Sequence, residues 1–107
     1  MTTLGCDLPS HTQTDEKDLR RQGGLWLKAK REEAGLSQRD LANKIGLKFY
    51  SFVSQIENGR TRVPPELLHQ WSEALNIPTA EFTRNMLYFF DNTIYNALFD
   101  QENQTSA

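Results

Sequence analysis

Glycines at positions 35, 46 and 59 cut the middle of this chain into short helical pieces. No other feature limits the fold as much, because a glycine at the end of an apolar period is the usual helix stop. Leu25 to Ala34 consists of good helix formers, and Gly35 ends it. Ser37 is a good N-cap for the next helix, Gln38 to Ile45, and Asp40 completes a partial capping box. Leu41, Ala42 and Ile45 form the apolar stripe of that helix, and Gly46 closes it. A short turn at Leu47-Lys48 leads to a third helix ending at Asn58-Gly59. At about 100° per residue, Phe49, Phe52, Val53 and Ile56 fall on its inner side. Tyr50, Ser51, Ser54, Gln55 and Asn58 fall on the other. That outer face is polar and uncharged, whereas an ordinary solvated face carries Glu and Lys.

The same reading extends both ways. Pro64-Pro65 opens a helix with Leu67, Leu68, Trp71, Ala74 and Leu75 as its buried stripe, stopped by Asn76 and Pro78. Thr79 is read as the cap of a fifth helix carrying Phe82, Met86, Leu87 and Phe90. Asp91-Asn92-Thr93 predicts a break, with Asp91 capping a last helix from Asn92 to Phe99. Upstream, residues 1–14 have no period and read as a tail, and a helix starts near Asp15 with Thr14 as its cap. Gly23-Gly24 should weaken that helix by about 1 kcal/mol each. No stretch has a strand pattern. The expectation is an all-α chain of five or six helices forming one domain.

Charge qualifies this picture. The 107 residues have a formal net charge of −2, which alone argues against a polyanionic partner. The distribution says otherwise. Residues 20–62 hold ten Lys/Arg and four acids, net +6, while residues 1–19 carry −3 and residues 63–107 carry −5. A basic segment can bind polyphosphate within an acidic protein. The single cysteine, Cys6, leaves no internal disulfide framework and no cysteine zinc site. His11 and His69 read as surface residues, so no metal-ligand cluster and no cofactor is expected. Trp26 and Trp71 read as core. With no apolar run long enough to span a bilayer and no signal-peptide pattern, the expected compartment is the cytoplasm. No nucleophile–base pair, paired carboxylates or Gly-rich phosphate loop stands out, so an enzyme is not expected.

Two short helices and a tight turn, the second with a polar outer face, form a helix-turn-helix pattern. The stretch Leu27 to Gln38 (LKAKREEAGLSQ), then Leu41-Ala42, Gly46 and Ser54 to Gly59 (SQIENG), resembles the phage repressor/Cro-like (XRE) family of transcriptional regulators. The resemblance covers about residues 25–90. It departs once: from Gly46 to Ile56 the spacing is one residue longer than the commonest pattern. Counting back from Glu57 puts the extra residue at Lys48–Phe49, where it either tilts the reading helix or moves its start.

The resemblance implies a lambda-repressor-like DNA-binding core at 20–78 and C-terminal dimerisation helices at 79–100, between tails at 1–19 and 101–107. It implies base reading in the major groove by Tyr50, Ser51, Ser54 and Gln55. Gln55 suits adenine, whose N6/N7 edge pairs bidentately with an amide. Gln38, Lys48, Asn58, Arg60, Thr61 and Arg62 are the implied phosphate contacts. Arg31 and Glu57 match an internal salt bridge. The apolar residues Met86, Phe89, Phe90, Ile94, Tyr95 and Leu98 are the expected dimer interface, since a single helix face cannot bury Leu87, Tyr88, Phe89 and Phe90 together and family members commonly dimerise through this region. The function implied is a dimeric, sequence-specific repressor on a near-palindromic operator, in a bacterial or phage system. The alternatives are the antitoxin of a toxin–antitoxin pair and an interaction module that has lost DNA binding.

Overall fold

The computed structural model describes residues 3–106, and the side chains of residues 16–99 within them. Cys6, His11, the expected tail at 101–107 and most of the one at 1–19 lie outside the described side chains. Six α-helices follow in order: α1 Thr3–Glu33, α2 Gln38–Lys44, α3 Ser51–Glu57, α4 Leu68–Ala74, α5 Thr79–Phe90 and α6 Asn92–Ser106. A 3-10 turn at Pro65–Leu67 leads into α4. There is no strand among the described residues. None of the helices is long and apolar enough, over those residues, to cross a membrane.

The core forms where the predicted stripes converge. Leu27 of α1, Leu41 and Ala42 of α2, Val53 and Ile56 of α3, Trp71 of α4, and Phe82 and Met86 of α5 are buried together. Fully burying one such side chain contributes about 1.5–3 kcal/mol, so this convergence holds helices of two turns that could not persist alone. Trp71 is fully buried, whereas Trp26 is half-buried, its ring 6.1 Å from those of Phe82 and Phe89.

Several local expectations change. α1 begins at Thr3 instead of near Asp15 with Thr14 as its cap, so residues assigned to the N-terminal tail are helical, and α6 runs past Phe99 to Ser106. Gly23 and Gly24 lie inside α1 without breaking it, because other helices cross there closely. A methyl group on Gly24 would run into the backbone carbonyl of Glu57, and one on Gly23 would lie 2.5 Å from Phe89 Cβ. The glycines weaken α1 locally but admit α3 and α5. Thr79 does not cap α5. Pro78 precedes that helix, while Thr79 Oγ1 lies 2.8 Å from Ser72 Oγ and 3.2 Å from the His69 ring. Asn76 closes α4 in the left-handed region at φ 61°, as a stop residue should. Asp91 (φ −135°, ψ 57°) breaks the chain between α5 and α6 at the predicted place.

Candidate nucleic-acid interface

The site begins at the cap of α2. Ser37 Oγ accepts from the Asp40 backbone N–H at 2.9 Å, and Asp40 Oδ2 accepts from the Ser37 N–H at 3.0 Å. These bonds hold the Asp40 carboxyl below its ordinary pKa of 3.8. The reciprocal box fixes where the first turn of α2 starts, and so where Gln38 and Arg39 project.

A buried ion pair fixes α3 against α1. Arg31 Nε donates to Glu57 Oε2 at 2.6 Å and its Nη2 to Oε1 at 3.1 Å, both side chains being more than nine-tenths buried. Arg31 Nη1 also donates to the Leu36 carbonyl at 2.8 Å, which ties down the turn before α2. The hydrogen-bonded Glu57 carboxylate raises the Arg31 pKa against the opposing effect of burial. This is the internal bridge that the sequence pattern implied. Gln38 joins it: its Nε2 donates to Glu57 Oε1 at 3.0 Å. Sequence reasoning treated Gln38 only as a phosphate anchor and missed this bond, which connects residues nineteen positions apart.

The outer face of α3 then follows from what is buried. Val53, Ile56 and Glu57 point inward, leaving Ser51, Gln55 and Asn58 exposed and Ser54 half-buried. Tyr50 precedes the helix, 44% exposed, with the Arg39 guanidinium 5.1 Å from its ring centroid. Such a stack orients both groups. Ser37, Gln38, Arg39 and Tyr50, with an edge of Arg31, line a shallow depression of about 410 Å³ between the starts of α2 and α3. Arg39 was not singled out in the sequence, although it lay in the basic block beside Gln38.

One expectation fails here. Phe49 and Phe52, placed on the inner side of the third helix, are 61% and 51% exposed. The helix starts only at Ser51, and the chain from Leu47 to Tyr50 spans the turn outside it. Phe49 therefore lies outside the helical register, and Phe52, in the first turn of α3, sits on its exposed edge. Separately, the Arg62 side chain is 55% exposed, and its Nη1 lies 2.6 Å from Asp91 Oδ1 at the break between α5 and α6. Lys48, Asn58, Arg60 and Thr61 are exposed around the ends of α3, as the implied phosphate contacts require.

The expected dimer residues divide. Met86 is 5% exposed and belongs to the core of this chain, so it is no free interface residue. Phe89 and Phe90 are half-buried against Gly23 of α1. Tyr95 stacks between Tyr88 and Phe99, at 5.2 and 4.7 Å between ring centroids. Ile94 and Leu98 are about half exposed, at 49% and 50%.

The profile of the Helix-turn-helix family matches residues 27–82, which is α1 from its buried Leu27 through to Phe82 of α5. The chain belongs to the helix-turn-helix family. It is of the Cro/C1 (XRE) type, a DNA-binding transcription regulator. A solved structure of the clp gene regulator ClgR from C. glutamicum is 28% identical, with a TM-score of 0.54, over 67% of this chain and 91% of its own. A second ClgR structure, from Corynebacterium glutamicum, is 24% identical with a TM-score of 0.55, over 82% of this chain and 93% of its own, and shows the fold alone. No curated protein matches the sequence closely enough to count as a relative.

Proposed function

We propose that this helix-turn-helix protein is a dimeric repressor that reads a near-palindromic operator through the major groove, acting in the cytoplasm. The observation that carries the reading is the character of α3. Its exposed side presents hydroxyls and amides beside the ring of Phe52, and the single acid between residues 41 and 65, Glu57, is buried in the Arg31 pair. A duplex can therefore approach α3 without meeting an exposed carboxylate on that helix. Gln55 reads a base edge, with Ser51, Ser54 and Tyr50 around it. Lys48, Asn58, Arg60 and Thr61 position the helix on phosphates. Gln38 presents its remaining amide N–H beside the first turn of α2, held at the correct height by Glu57. Ile94 and Leu98, exposed on α6, contribute the apolar contact to a second copy. The twofold would present two reading helices to half-sites about 34 Å apart.

Selection from a random duplex library tests the reading. The expected result is one enriched, twofold-symmetric motif whose binding weakens steeply with salt. Enrichment of no sequence overturns it.

A further inference from the structure

The reading face carries two aromatic side chains that no polar contact uses. Phe49 and Phe52 are both more than half exposed. Phe52 lies three residues before Gln55 on α3, so the two are neighbours about 60° apart around the helix. Phe49 joins them from the turn, where its carbonyl accepts the Phe52 N–H at 3.3 Å. The surroundings are basic. Lys48 adjoins Phe49, Arg39 stands over Tyr50, and no exposed acid occurs from residue 41 to 65. An apolar pair on a helix with no exposed acid, flanked by Lys48 and by Arg39 at Tyr50, suits a polyanion with apolar groups on its accessible edge. The major groove meets that description, because each thymine projects a 5-methyl group beside hydrogen-bonding edges.

We propose that Phe52, with Phe49 beside it, reads the 5-methyl group of a thymine next to the base addressed by Gln55. The proposal rests on the DNA-reading function above and adds a specificity element that the polar residues do not supply. It follows from the outward placement of both rings. Had Phe49 and Phe52 remained on the inner side, the reading face would be polar throughout.

The test uses the full chain and the duplex recovered by selection. Each thymine is replaced in turn by deoxyuridine, which lacks only the methyl group, and binding is followed by fluorescence anisotropy. The expected result is a loss of about fourfold at one thymine in each half-site, the size set by a single methyl-sized contact. Phe52→Ala should bind the thymine and deoxyuridine duplexes alike, and Phe52→Leu should keep part of the discrimination. A thermal melt of each variant confirms the fold, and Phe52→Leu with the wild-type series decides the matter if Phe52→Ala does not fold. No methyl sensitivity in the wild-type chain, or full sensitivity retained by the folded variants, overturns the proposal. Unchanged operator affinity and discrimination in Phe49→Ala/Phe52→Ala would assign the pair to a protein partner and likewise overturn it. An enriched site indifferent to methyl removal defeats thymine reading alone, whereas no enriched site defeats DNA reading as well.

Discussion

At the scale of single residues, Glu57 is the hinge between stability and recognition. It receives two bonds from Arg31 and one from Gln38, with almost no exposure to water. Removing one partner of a buried pair strands the other charge, at a cost of about 3–5 kcal/mol. Glu57→Ala should therefore lower urea stability by that order, and Arg31→Met/Glu57→Leu should lose less than the single change. Equal losses would mean that Arg31 finds another partner. Asp40 makes a pH-dependent contribution. The Ser37 backbone N–H, and secondarily its hydroxyl, hold the folded pKa below 3.8. The carboxylate accordingly stabilises the fold above about pH 4, and the contribution fades as pH falls through the folded value. The stability gap between wild type and Asp40→Asn should be open at neutral pH and narrow as pH falls through the lowered folded value. A gap that stays constant with pH would remove the capping box as its source.

At the scale of elements, the position of α3 is set by α1. Gly24 lies against the Glu57 carbonyl, and Gly59, at φ +78°, turns the chain where a side chain would meet the Arg20 carbonyl 2.9 Å away. Helix propensity alone predicts that Gly24→Ala stabilises by about 1 kcal/mol. The close crossing predicts the opposite, a loss of about 1–3 kcal/mol from overpacking. A thermal melt decides by sign. The loop after α3 makes a second contrast. Arg60 is exposed, while Arg62 is committed to Asp91. Arg60→Ala should reduce the slope of log affinity against log salt by about 0.9, the value for one lost phosphate contact. Arg62→Ala should change that slope less. The order and type of these helices were legible because apolar spacing and glycine, proline and asparagine stops are local signals. The start of α3 was not, since Phe49 carries the same apolar signal inside a helix or in the turn before it, and the burial of Val53 and Ile56 was already expected.

At the scale of the molecule, α5 and α6 divide their apolar side chains between the chain's own core and its surface. Met86 and Phe82 complete the core, and Phe89 and Phe90 cover α1 at Gly23. What remains outward is narrower than the sequence implied, chiefly Ile94 and Leu98, with Tyr88 also 40% exposed. Ile94→Asp/Leu98→Asp should shift sedimentation to a 12.3 kDa species without lowering the melting temperature of the monomer fold. It should also weaken operator binding, because the two reading helices then dock independently. A variant that still sediments as a dimer would place the interface elsewhere.

By itself, the sequence determined the helix class, the helix-turn-helix pattern, a partial capping box and the concentration of basic charge in residues 20–62, and its family resemblance implied the Arg31–Glu57 pair. Each of these is written in short-range spacing or in a motif whose partners recur at set separations. The tertiary structure alone decided three things: that Gly23-Gly24 is a crossing point, that Phe49 and Phe52 face outward, and that Arg62 goes to Asp91. All three depend on which surfaces meet across distant parts of the chain, where packing and the reach of a charged side chain outweigh local periodicity.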